Sequence, residues 1–194
     1  MLRKIFLIAA LMFSIALPTN VEAREVFGVV DIVSRIDETM TNLDGEQMNT
    51  FHAVSDVLIE ELIDVVDVID LTSASNVARL GEIATQLSQG DCSEFADADC
   101  DYIIYGYLMN LNRSTGDRIV GKSEAVTADV SIRVVEKKTG KCVFVAKSRG
   151  VSKARAVRAI NLIRIGSFEF SEEQLIDALE TAARDIAKQL KNNI

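Results

Sequence analysis

The feature that most limits how this chain can fold is an unbroken alternation over residues 124–136, "EAVTADVSIRVVE". Val126, Ala128, Val130, Ile132 and Val134 fall on one side. Thr127, Asp129, Ser131 and Arg133 fall on the other. A period of two belongs to a β-strand with one face in a core. "KKTG" follows, with Gly140 suited to the positive φ of a tight turn. "KCVFVAKSRGV" then returns as the partner strand. The rest of the chain must supply what covers the apolar face of this hairpin.

"EVFGVVDIV" and "DYIIYGYLMNLN" are nearly continuous apolar runs. Such runs fit strands buried on both faces, the second of them central. Between them Phe51, Val54, Leu58 and Leu62 recur at helical spacing, which predicts a helix over roughly 45–63. "VVDVIDLTS" predicts a second strand. "SASNVARLGEIATQL" predicts a second helix, with Ser73 or Ser75 as N-cap and Val77, Leu80, Ala84 and Leu87 on one face. "GDCSEFADADC" is a loop. The last helix spans about 172–191, with an apolar stripe of Leu175, Leu179, Ala182, Ile186 and Leu190. Ser171 with Gln174 fits a capping box, and Phe170 with Leu175 a hydrophobic staple. The order β-α-β-α-β-β-β-α predicts an α/β (α+β) fold. Its mixed sheet has about five strands, with helices packed on it and the last helix over an antiparallel meander.

The start of the chain bears on its compartment. "MLRK" is basic, "IFLIAALMFSIAL" is apolar, and Val21 and Ala23 precede Arg24. This is the pattern of a signal peptide over 1–23, with an uncleaved anchor as the rival reading. The run is short for a membrane span, and no cysteine lies near the cleavage region to carry a lipid. A single domain over 24–194 is expected, periplasmic or secreted. Removing Arg3, Lys4 and Glu22 with the leader takes the net charge from −8 to −9. So acidic a chain lacks the basic footprint that nucleic acid requires.

The residues offer little chemistry. No glycine-rich phosphate loop is present. His52 is the only histidine, and its ordinary role is a half-exposed helix residue. Three cysteines and one histidine lack zinc-ligand spacing. Asp97, Asp99 and Asp101 open like a calcium loop, but Tyr102 and Leu108 stand where the glycine and the bidentate glutamate belong. Asp31, Asp67 and Asp70 lie in or near strands, and Asp67 must sit at an edge, at a strand end or in a pair. No catalytic, cofactor-binding or metal residue is therefore expected. Cys92 and Cys100 lie in one loop and could close it as a disulfide, leaving Cys142 as a small buried apolar residue. Lys153, Arg155, Arg158 and Arg164 form the one basic segment, with Ala156, Ile160 and Ile163 at helical spacing among them. It could face an acidic partner or a lipid headgroup. Its bland alternative is a solvated connection whose charges pair with the acidic body.

The succession "DYIIYGYLMNL", "VTADVSIRVVEKKTGKCVFVAKSRGVS" and "LIDALETAARDIAKQL" resembles the CsgG-like family of curli-assembly and envelope proteins. The related penicillin-binding-protein activator domains are similar. Glu136 to Lys141 occupies the family's turn, and "VFGVVDIV" and "VVDVIDLTS" look like its first two strands. The resemblance implies a non-enzymatic domain without cofactor, acting by contact with another envelope protein in secretion, assembly or cell-wall synthesis. Self-association fits it too. The usual lipoprotein cysteine is absent, and the short chain shows no obvious pair of amphipathic hairpins for a transmembrane barrel. Rival readings are a ligand- or peptide-binding module using a sheet edge, and a carboxylate-dependent hydrolase.

Overall fold

The computed structural model describes residues 24–34, 52–72, 79–118, 121–157 and 172–194. Five strands form one sheet: β1 (Val26–Ser34), β2 (Asp67–Asp70), β3 (Tyr102–Arg118), β4 (Gly121–Glu136) and β5 (Lys141–Val157). Their order is β2-β1-β3-β4-β5. β1 runs parallel to β2 and β3, while β4 and β5 continue antiparallel. Three helices pack against the sheet: α1 (His52–Leu62), α2 (Leu80–Ser88) and α3 (Glu172–Lys191). This is the mixed α/β fold read from the sequence, with the predicted element order and β3 at the centre.

The alternation in β4 decides which face meets which helix. Val126, Ala128, Val130, Ile132 and Val134 join β1 residues Phe27, Val29 and Ile32 in one core. α1 and α3 close it, and every member of the predicted α3 stripe is buried. A smaller core fills the opposite face, with Val30, Ile103, Tyr105, Tyr107 and Val135 under Leu80, Ile83, Ala84 and Leu87 of α2. The Tyr107 hydroxyl donates to the Ala84 carbonyl at 2.9 Å, tying α2 to β3.

Contact with α3 explains the glycine that ends "TGKCVFVAKSRG". A Cβ at Gly150 would lie 1.6 Å from the Ala178 carbonyl oxygen, so the helix backbone rests directly on the strand. Ser148 Oγ donates to Asp185 Oδ2 at 2.7 Å and Gln189 Nε2 to the Lys147 carbonyl at 3.3 Å, fixing the same seam. Gly140 has φ +66° in the β4–β5 turn, as its position predicted.

Several boundaries differ from the sequence reading. α2 begins at Leu80, and Arg79 is its N-cap, without a side-chain capping bond. Ser73 and Ser75, expected in that role, lie outside the described residues. So do the leader, residues 45–51 of the first predicted helix, and Ser171 and Phe170 before α3. β3 continues to Arg118 and β5 to Val157, well past the apolar runs that signalled them. Their outer parts are polar, and pairing along the length of β4 carries them onward. Residues 153–157 are therefore strand, not the helical segment their spacing suggested.

Candidate functional site

β5 is an edge strand, and β4 pairs with it along its whole length. From Phe144 to Ser152 its residues alternate. Ala146, Gly150 and Ser152 are buried toward α3, whereas Val145, Lys147, Arg149 and Val151 are exposed on the other face. Among the described elements, α2 covers that second face over β1, β3 and the Val135 end of β4. The β5 side stays open, leaving Val145 at 48% and Val151 at 38% exposure, with Met109 of β3 at 45%. Val143, at 53%, is the extra residue of a bulge between the Val134–Phe144 and Val135–Cys142 pairs.

A polar ladder crosses this open face. Register places Asn110 opposite Asp129 and Asp129 opposite Arg149. Arg149 Nε and Nη2 donate to Asp129 Oδ1 and Oδ2 at 2.6 and 3.1 Å, a two-pronged contact. Asn110 Nδ2 donates to Asp129 Oδ2 at 3.3 Å. The Arg149 hydrogen bond chiefly holds the Asp129 carboxyl below its ordinary range. Of the predicted basic segment, Lys153 and Arg155 lie on β5, while Arg158 and Arg164 fall outside the described residues. The strand thus carries Lys141, Lys147, Arg149, Lys153 and Arg155 and no acidic residue.

A second feature escaped the sequence reading. β1 bulges where Val30 and Asp31 together oppose Tyr105, and Asp31 is only 2% exposed. His52, at the start of α1, brings Nδ1 to 2.8 Å from Asp31 Oδ2. Among the described residues Asp31 Oδ1 has no hydrogen-bond partner. The available signal was one aspartate inside an apolar strand and one histidine in the whole chain, which proximity alone could join. The nearby Ser55 hydroxyl is fully buried and directed at the Val30 carbonyl, 3.5 Å away. The pair joins helix to strand, and among the described residues the hydroxyl nearest to it in the chain, that of Ser55, is buried.

Asp101 Oδ2 accepts the Val26 amide at 3.0 Å, so this carboxylate clamps the start of β1 to β3. Among the described residues no group of three or more acidic, histidine or cysteine side chains could hold a metal. Asp67 begins the edge strand β2, with Arg24 Nη1 3.5 Å away, meeting the expectation of an edge or a pair. Cys92 and Cys100 are half-buried free thiols beside the smaller core, so the expected bridge is not formed in this structure. Burial is the main cause that raises both thiols. Cys142 is exposed, not the buried residue expected. Near the start of β1 and β3, an open cavity of about 600 Å³ is lined by Arg24, Glu25, Cys100, Asp101, Tyr102, Glu136, Lys137 and Lys138. No described helix is long and apolar enough to cross a membrane.

The fold defines a mixed α/β domain with helices on both faces of its sheet. No family model matches the chain, and no curated protein matches it either. Solved structures do resemble it. A PelC dodecamer from Paraburkholderia phytofirmans shares 14% identity over 90% of this chain and 91% of that one, with a TM-score of 0.43. Lipoprotein GNA1162 from Neisseria meningitidis shares 11% over 68% and 84%, with a TM-score of 0.45. The LpoB C-terminal domain from Salmonella enterica shares 13% over 68% and 85%, with a TM-score of 0.33. Similarity at this level assigns no role to any residue here.

Proposed function

We propose that this chain is a non-enzymatic accessory protein of the bacterial envelope. It is CsgG-like in kind and acts by protein–protein contact in secretion, assembly or cell-wall synthesis. The observation that carries this reading is the uncovered half of the β3–β4–β5 face. Three large apolar side chains, Met109, Val145 and Val151, stand exposed there around the Asn110–Asp129–Arg149 ladder. Exposed apolar groups gathered around polar ones mark contact surfaces more often than scattered surface residues do. The signal-like leader supports delivery to the envelope.

A photo-crosslinking residue at Val145 or Met109 tests the reading in cells of the source organism, with Glu82 on α2 as a control position. Adducts with one envelope protein from the first two sites, and none from Glu82, are expected. Normal export and folding with no adduct from either open-face site would overturn it.

A further inference from the structure

We propose that β5 accepts an acidic, extended segment of a partner protein as a sixth strand of the sheet. The inference rests on the protein-contact reading and names the surface and the chemistry of the partner. Two edges bound the sheet, and they differ greatly. β2 is four residues long. β5 is seventeen residues long and contains no proline. Among the described residues nothing pairs with its outer side. A long unpaired edge offers a row of amides and carbonyls to any strand that can lie beside it.

Proteins often guard such an edge with charged side chains, lysine above all. Here Lys147 and Arg149 are flanked on the same face by the exposed valines Val145 and Val151, which charge alone does not account for. The face of β5 away from α3 presents Val145, Lys147, Arg149 and Val151 in succession, all exposed. An added strand would place its own alternate residues beside these. The complement is hydrophobic, acidic, acidic, hydrophobic at every second position. Arg149 is already held by Asp129, but Lys141, Lys147, Lys153 and Arg155 still make β5 a basic strand on a chain of net charge −8, which favours an acidic occupant.

A second copy of this chain fits less well. Two β5 strands side by side would oppose basic residues to basic residues. The β2 edge of another copy carries Asp67 and Asp70, but its four residues would cover under a quarter of β5, and Arg24 already faces Asp67. The favoured occupant is therefore a segment from a different protein.

The probe is a fluorescein-labelled peptide, Gly-Val-Thr-Glu-Thr-Asp-Thr-Val-Gly, titrated against the chain from residue 24 onward. One control replaces Glu and Asp by Lys. The other replaces the threonines by proline, which removes ladder donors. Expected results are saturable binding of the acidic peptide alone, weakening with salt, and slowed amide exchange confined to β5. Lys147→Glu should weaken binding at least about fivefold, and Lys147→Gln by less. Circular dichroism of both variants shows that the fold is kept. No saturable binding at millimolar peptide, or protection elsewhere than β5, would overturn the proposal. So would concentration-dependent self-association in sedimentation that Lys147→Glu abolishes, which would assign the edge to a second copy. Envelope adducts at Val145 without peptide binding would leave the contact reading standing while the strand docking fails.

Discussion

At the scale of single residues, Asp31 is the least ordinary position in the molecule. A carboxyl group sits 2% exposed in a strand, with one oxygen facing His52 and the other without a partner among the described residues. Burying a carboxylate is costly unless hydrogen bonds offset it, so His52 is what makes Asp31 tolerable there. His52→Ala should then destabilise the protein by about 3 kcal/mol, because it leaves the buried carboxylate without its partner. Asp31→Asn combined with His52→Ala should cost clearly less than the sum of the single changes, since both remove the same contact. Urea unfolding of the four proteins measures this directly. Additive losses would show that the pair does not couple.

The same scale shows why sequence reasoning passed over this pair. His52 and Asp31 are twenty-one positions apart, and neither alternation nor helical spacing links them. Each looked unremarkable alone. Only the docking of α1 on β1 brings them together.

At the scale of elements, the seam between α3 and β5 holds the antiparallel half together. Eight α3 residues, Leu175, Ala178, Leu179, Ala182, Ala183, Ile186, Ala187 and Leu190, are buried in the larger core. The small residues let the helix approach closely, and Gly150 completes the fit from the strand side. Gly150→Ala should push α3 away from β5 and cost about 2–4 kcal/mol by overpacking against backbone that cannot turn aside. Thermal unfolding checks it, and Gly81→Ala is the contrast. A Cβ at Gly81 meets nothing within 4 Å, so that change on α2 should be neutral or slightly stabilising. The alanine-rich stripe of α3 was plain in the sequence, but the contact at Gly150 was not. Closeness of approach between two elements depends on how they stack, not on the pattern within either.

At the scale of the whole molecule, charge is unevenly placed. α1 and β2 carry Asp56, Glu60, Glu61, Asp67 and Asp70 near one side of the sheet, while β5 at the other carries only basic charge. Some carboxylates are drawn into pairs that join distant elements. Glu61 of α1 accepts from Lys191 of α3 at 2.7 Å, and that bond chiefly lowers its pKa. Asp129 is lowered in the same way by Arg149. A carboxyl whose pKa is lowered by folding releases its proton more readily in the folded state than in the unfolded chain. The stability it adds is complete above the ordinary carboxylate range and is lost as the pH falls through the lowered value. The urea midpoint should therefore hold steady at neutral pH and decline from about pH 5 downward. Asp129→Asn should make that decline shallower, and an unchanged acid profile would show that Arg149 adds nothing to the folded state.

Taken alone, the sequence determined the element order, the mixed sheet and the faces of β4 and α3. These follow from local periodicity, because each residue's side of a strand or helix is set by its own neighbours in the chain. It also located the turn at Gly140, where a positive φ selects glycine. Tertiary structure alone decided the rest. The polar outer parts of β3 and β5 became strand because hydrogen bonding to β4 continued past the apolar residues. β5 became an edge of the described sheet because strand order is a property of the sheet, not of any strand. Asp31 met His52, and Asn110, Asp129 and Arg149 formed one ladder, because folding placed residues far apart in the chain side by side. Such pairings depend on the distances the fold creates, which no spacing along the chain records.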